Sequence, residues 1–320
     1  MKTSILWRAA IASIAFLSMA CAGSQADPPR FEVRIAADLE QAGYKPRGGR
    51  VLVALSAAGD AEPRTRLYDT DPPVLPLLGR DVMGFDATKT VVLDQTAMGF
   101  PQNGLAQLPA GEYQAQAFFH FNQDIALATA PGDLSSKPMR FRFDPQRAGS
   151  ETIKLELSRA VPDAPPEDSK SVKFLQFPSP LLSGFHCRPM VYRAAVVLPP
   201  NFDREPERKY LLRVHIGGFG TRYQSARFMR PDPRFVQVVL DGAGPFGDPY
   251  HVDSANNGPY GAALTQELIP HIEAQYRCGG SPTKRFTDGA STGGWVSLAL
   301  QVFYPDYFNG CCHRHHRGES

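Results

Sequence analysis

The sequence predicts two different architectures in one chain: an all-β, sandwich-like first half, then a layered α/β half with a mostly parallel sheet and flanking helices. Two observations predict it. Up to about residue 160, apolar residues recur at every second position between turn signals; after about residue 173, strand-like runs alternate with helical ones. A third marks the boundary, because Ala160 to Val172 (AVPDAPPEDSKSV) holds three prolines and four charged residues and reads as a linker over 161–172.

Taken in order, residues 1–26 read as an export signal. Lys2 and Arg8 precede an apolar stretch, Ala9 to Ala20, and Ala20-Cys21-Ala22 fits a small-x-small cleavage pattern, with Ser24-Gln25-Ala26 as a second site. The chain is therefore expected to be periplasmic or secreted. The alternative is a lipoprotein anchored through Cys21, although Leu17 stands one place too far back for a good lipobox. Beyond this segment there is no apolar run long enough to span a bilayer. Lys plus Arg is 34 against 32 for Asp plus Glu, a net +2 that falls to zero once Lys2 and Arg8 are removed. That balance leaves no electrostatic footprint for nucleic acid.

Residues 27–160 alternate with period two. Phe31, Val33 and Ile35 do so, as do Val51, Val53 and Leu55, the run from Tyr113 to Phe121, and Ile153, Leu155 and Leu157. Such strands turn one face to a core and the other to water. Pro109-Ala110-Gly111 and Arg47-Gly48-Gly49 supply turns, and no long amphipathic helix intervenes. A sandwich is the natural arrangement.

Residues 173–310 change pattern. Lys173–Phe177, Val191–Leu198, Tyr210–Ile216 and Arg285–Asp288 read as strands; Phe235–Leu240 is apolar throughout, as a strand buried on both faces should be. Leu264, Leu268, Ile272 and Tyr276 are spaced by four and predict a helix over 260–276, which Pro270 should kink or divide. A second helix is expected over 293–303, ending before Pro305. An exported chain could oxidise Cys187 and Cys278 to a disulfide.

Between the last predicted strand and helix lies Gly289-Ala290-Ser291-Thr292-Gly293. A serine at a tight strand-to-helix turn needs unusual backbone angles, and side chains two residues to either side would collide, so glycine is required there. The helix that follows aims its first N–H groups at the serine, where negative charge would develop. The bland alternative is a Gly-Ser surface turn. A second element, His215-Ile216-Gly217-Gly218-Phe219-Gly220, also follows an apolar strand. The N–H of Thr292 together with that of Gly218 or Phe219 would make an oxyanion hole around an ester carbonyl, with Ser291 as nucleophile.

Four stretches then carry a resemblance: AAVVLPPNF (194–202), IGGFG (216–220), GDPYHVDSANNGPYGAALTQELIPHIEAQYR (247–277) and GASTGGWVSLALQVFYPDYFNG (289–310). Phe185 to Gly310 resembles the esterase branch of the α/β-hydrolases, which includes feruloyl-type esterases and mycolyltransferases. The resemblance implies an α/β-hydrolase fold, a small-molecule ester substrate, a seryl acyl-enzyme at Ser291, and no cofactor or metal. It also implies an acidic residue and a histidine, in that chain order, after the nucleophile. The chain departs from the pattern there. Cys311 to Ser320 (CCHRHHRGES) shows neither strand nor helix periodicity and reads as an aberrant tail, as translation in a shifted frame would give. The expectation is thus a partial α/β-hydrolase, impaired as an enzyme, with His251 in a polar loop as a possible substitute base. His215 is expected to pack or hydrogen-bond and His271 to face solvent. The competing readings are a non-catalytic binding or remnant protein and an acyltransferase of the same fold.

Overall fold

The structure is a computed structural model that describes residues 27–45, 47–67, 75–127, 130–147, 152–162 and 165–313. The expected export signal with Cys21, and residues 314–320 of the expected tail, lie outside the described residues.

The first half builds strands β1 (Arg30–Ile35), β2 (Arg47–Ala57), β3 (Leu77–Phe85), β4 (Val91–Leu93), β5 (Met98–Phe100), β6 (Gly111–His120), β7 (Leu134–Ser136), β8 (Met139–Phe143) and β9 (Thr152–Ala160), with a five-residue helix α1 (Ala37–Gln41) after β1. They hydrogen-bond as one sheet in the order β4-β1-β9-β7-β6-β2-β3-β5, with β8 also on β6. The expectation of a sandwich is refined in two respects. The hydrogen bonding runs through a single nine-stranded sheet, and one of its pairs, β1 with β9, is parallel. Phe31 of β1 meets Phe141 of β8 edge-on, with ring centroids 5.9 Å apart, although those strands are not hydrogen-bonded partners. The alternating positions read from the sequence make the core: Phe31, Val33, Val51, Val53, Phe119 and Leu155 are all buried in one cluster. The second face of β6 is buried too rather than wet. Gln114 donates to the Ser56 hydroxyl at 2.9 Å, and Gln116 donates to Glu62 at 2.7 Å and to the Ser136 carbonyl at 2.9 Å. Those bonds satisfy amides that would otherwise be costly to bury.

The second half forms a six-stranded sheet. Its strands are β10 (Val172–Pro178), β11 (Val191–Val197), β12 (Leu211–Ile216), β13 (Phe235–Leu240), β16 (Arg285–Gly289) and β17 (Gly310–His313), in the order β10-β11-β13-β12-β16-β17. Two-residue strands β14 (Asp253–Ser254) and β15 (Gly258–Pro259) pair separately. β13, β12, β16 and β17 run parallel to one another, while β10 and β11 close the other side antiparallel. The strand at Gly310–His313 corrects the expectation that residues after 310 lack secondary structure. Parallel pairing places Gly310 to His313 opposite Phe286 to Gly289, and this backbone ladder makes no demand on side-chain pattern. The strand that leads into the serine turn therefore has neighbours on both sides.

Helix α2 (Pro180–His186) starts at Ser179, whose side chain accepts from the Leu182 N–H. The helix expected over 260–276 runs as α3 (Tyr260–Ala263), a π turn (Leu264–Leu268) and α4 (Ile269–Tyr276). The π turn is the answer to Pro270: it absorbs the register change at a residue that has no N–H to donate. Leu264, Leu268 and Ile272 pack with Val214, Val238 and Val296 on one side of the sheet. Helix α5 (Thr292–Phe303) covers the same side, while Tyr223, Ala226, Ala195 and Val239 form a smaller cluster on the other. Cys187 is exposed, Cys278 is buried, and both are free thiols. Ala126 donates to the Gly244 carbonyl at 2.9 Å, and Asp124 pairs with Arg188 and Arg193, so a loop of the first half touches the second. No described helix is long and apolar enough to cross a membrane.

The burial pattern sets a stability contrast. Leu264 is fully buried and Leu298 of α5 is 55% exposed. Leu264→Ala should cost about 2–5 kcal/mol in urea unfolding, and Leu298→Ala no more than about 0.5 kcal/mol; equal losses would contradict this packing.

Candidate active site

The strand β16 ends at Gly289 and α5 begins at Thr292, so Ser291 occupies the turn between them. Its backbone lies at φ 55°, ψ −126°, a conformation that side-chain-bearing residues avoid. Both glycines of the pentapeptide are dictated by close approach. A Cβ on Gly293 would lie 2.1 Å from the Ile216 carbonyl oxygen and 2.5 Å from that of Gly217. A Cβ on Gly289 would lie 2.4 Å from the Gly293 carbonyl carbon and 2.6 Å from the Ile216 oxygen. The turn is thus wedged against the end of β12, which is paired in register with β16, Ile216 opposite Gly289. This is why the loops after the two strands emerge side by side.

The loop Gly217–Gly220 turns sharply. Thr221 donates to the Gly218 carbonyl at 2.9 Å, and Gly220 takes φ +67° and donates to Asp248 Oδ2 at 2.9 Å. The N–H groups of Gly218, Phe219 and Thr292 have no acceptor among the described residues. Ser291 is exposed and its hydroxyl likewise has no partner there. A hydroxyl beside undirected N–H donors at a helix start can hold and stabilise an oxyanion.

A strap from Gly247 to Asp253 borders the loop. Tyr250 and His251 are both left-handed, at φ 55° and 49°. The Tyr250 ring meets Trp295 of α5 at 5.8 Å and Phe219 at 6.4 Å, so aromatic side chains from the strap, α5 and the glycine loop lie together. The sequence singled out Phe219 but missed Tyr250, Trp295 and Asp248. The signal for Asp248 was slight, an acidic residue before proline in a glycine-rich stretch.

His251 is not placed as a substitute base. It is 1% exposed, its Nδ1 is bonded to the Tyr192 hydroxyl at 2.8 Å, and its ring stacks with that of Tyr192. Burial pushes its pKa down from 6.5 to about 3. The reason is that the loop folds inward, between Tyr192 and Tyr260, rather than over the turn. His215 bonds to Asp288 through Nδ1 at 2.9 Å, His120 to Asp133 at 2.5 Å, and His186 to the Asn257 carbonyl at 3.2 Å. His271, expected in solvent, is half-buried against Phe177, 4.9 Å between ring centres.

No protein-family model matches the chain. No curated protein matches it either. Solved structures do overlap it in part. A ferulic acid esterase is similar at 19% identity and TM-score 0.35, over 44% of this chain and 57% of that one. FphF, a fluorophosphonate-binding serine hydrolase of Staphylococcus aureus, is similar at 15% identity and TM-score 0.36, over 44% and 55%. An S-formylglutathione hydrolase from Agrobacterium tumefaciens is similar at 14% identity and TM-score 0.35, over 47% and 60%. The chain spans little more than half the length of each, so the functional reading rests on the geometry of the serine turn.

Two expected outcomes follow from that geometry. Relief of the Ser291 backbone by Ser291→Gly should stabilise the chain by about 1 kcal/mol, since a strained non-glycine residue costs about 1–3 kcal/mol and glycine returns part of it through the unfolded chain. Ser291→Ala should bring no such gain, and equal midpoints for the two variants would contradict the strain. The second outcome concerns pH. A histidine held neutral in the fold stabilises fully above the unfolded pKa of 6.5 and loses that contribution as pH falls towards about 3. His251→Gln should therefore flatten the stability profile below pH 6.5 by up to about 1.4 kcal/mol per pH unit. Parallel profiles in urea unfolding would rule the buried neutral ring out.

Proposed function

We propose that the chain is an exported serine esterase-type protein that cleaves small-molecule carboxylic esters through an acyl-enzyme at Ser291. The observation that carries this reading is a serine at positive φ, wedged by two obligatory glycines between a strand and the first turn of a helix. In the proposed reaction the Ser291 Oγ attacks the ester carbonyl carbon while its proton passes to a base. The carbonyl electron pair moves onto oxygen, which accepts from the N–H groups of Thr292 and of Phe219 or Gly218. Collapse expels the alcohol, which takes up a proton, and leaves an acyl-serine; water then repeats the sequence and releases the acid.

The side chains of His120, His186, His215, His251 and His271 make the contacts given above, and none of those contacts is with Ser291. This supports slow turnover by the described residues, about 10⁴-fold or more below a serine hydrolase whose histidine is in place. Acylation by an activated ester can still proceed, because p-nitrophenolate leaves without help.

The test is intact-mass analysis of the purified chain with p-nitrophenyl acetate. One acetyl group should accumulate on Ser291 and be absent in Ser291→Ala, with little p-nitrophenol released after the first equivalent. Unmodified Ser291, or equal p-nitrophenol release by both proteins, would sink the proposal. Fast sustained turnover that vanishes in Ser291→Ala would keep the nucleophile and overturn the claim of slow turnover.

A further inference from the structure

Asp248 is 8% exposed, and each of its carboxylate oxygens is committed to a backbone N–H. Oδ2 accepts from Gly220 and Oδ1 from Tyr250, both at 2.9 Å. One bond ends on the glycine loop beside the serine turn. The other ends on the strap, at the residue whose ring rests against Phe219 and Trp295. The carboxylate reaches this position only because residue 242 is a glycine. A Cβ there would lie 3.1 Å from Oδ2 and 2.8 Å from the Thr221 carbonyl oxygen, and the Gly242 N–H itself donates to that carbonyl at 2.8 Å. Three segments that are distant in the chain are therefore joined at one side chain.

We infer that Asp248 is a positioning residue for the oxyanion loop: it fastens Gly217–Gly220 to the strap and so holds the Gly218 and Phe219 N–H groups towards Ser291. The inference rests on the reading of Ser291 as nucleophile. The physical case is one of pre-organisation. Glycines 217, 218 and 220 leave the loop with wide conformational freedom, and Gly220 sits at φ +67°, so something outside the loop must select one shape. An oxyanion donor works only if it is already aimed when charge develops. Hydrogen bonds to a charged acceptor are stronger than neutral ones, and an ionised carboxylate can serve both amides at once. An asparagine has a single oxygen acceptor, so it can keep one of the two bonds well and not both.

The experiment compares the parent chain with Asp248→Ala and Asp248→Asn by two readouts. The first is Ser291 acetylation by p-nitrophenyl acetate across a range of ester concentrations. Loss of loop positioning should lower the limiting acylation rate about 10–100-fold in Asp248→Ala, the range below outright deletion of an oxyanion donor. The half-saturating concentration should stay within about threefold, since the ground-state ester is not held by this loop. Asp248→Asn should fall between the two. The second readout is hydrogen exchange at the Gly220 amide, which should quicken at least about tenfold in Asp248→Ala, while the Val238 amide of β13 keeps the parent rate.

A parent chain acylated at Ser291 together with an Asp248→Ala variant acylated at the same limiting rate would overturn the positioning role alone. A parent chain that is not acylated overturns the esterase reading, and with it a catalytic role for the loop. An unchanged Gly220 exchange rate in Asp248→Ala would overturn the positioning role in either case. Should Asp248→Ala fail to fold, Asp248→Asn decides by the same two measurements: parent-like acylation and exchange contradict the inference, and slowed acylation with faster Gly220 exchange supports it.

Discussion

The close contact between Gly293 and the carbonyl oxygens of Ile216 and Gly217 is the constraint on which the candidate site depends. It forces the start of α5 down onto the end of β12, and that approach leaves Ser291 no ordinary backbone conformation. The serine is pushed outward, into solvent, at the same end of the sheet where the Gly217–Gly220 loop emerges. The parallel register of β12 and β16 puts the two loops at one end of the sheet. The strain at the serine is held in place by the buried cluster under α5 and α3, where Val214, Val296, Leu264 and Leu300 meet. The serine's backbone is thus a consequence of how one helix must sit on two strands.

Much of this was legible in the sequence, and for a physical reason. The glycine-serine-glycine spacing is a steric requirement, so it survives as letters. The four-residue spacing of Leu264, Leu268 and Ile272 likewise records which face of a helix meets the sheet. What escaped reading depends on partners far along the chain or on the backbone alone. The inward fold of His251 needs Tyr192, and the grip of Asp248 on Gly220 spans 28 residues. The pairing of Gly310–His313 with β16 is made by main-chain groups and leaves no periodic signal. The buried second face of β6 looked like an alternating, half-wet strand, because glutamine is polar whether its amide meets water or Ser56, Glu62 and Ser136. The π turn before Pro270 has the same apolar spacing as a plain helix.

The two halves of the chain solve burial in different ways. The first half relies on alternating apolar residues and a few amide networks across a continuous sheet. The second stacks helices on a largely parallel sheet, and it hydrogen-bonds the polar side chains buried within its strands, Gln237 to the Arg230 carbonyl and Thr287 to the Ser297 carbonyl. The contact from Ala126 to Gly244 and the pairing of Asp124 with Arg188 and Arg193 bring a loop of the first half to the turn that precedes Asp248.

If Ser291 and the backbone N–H groups of Thr292 and the Gly217–Gly220 loop form one oxyanion-binding turn, a tetrahedral oxyanion mimic should be held by all of them together. The most direct measurement is a crystal structure of the chain after treatment with an alkyl phosphonofluoridate, whose phosphonyl oxygen supplies that mimic. Phosphorus should be bonded to Ser291 Oγ, with the phosphonyl oxygen about 2.7–3.1 Å from the Thr292 amide nitrogen and from that of Phe219 or Gly218. A reagent bound elsewhere, or a phosphonyl oxygen turned to solvent away from both amides, would contradict it.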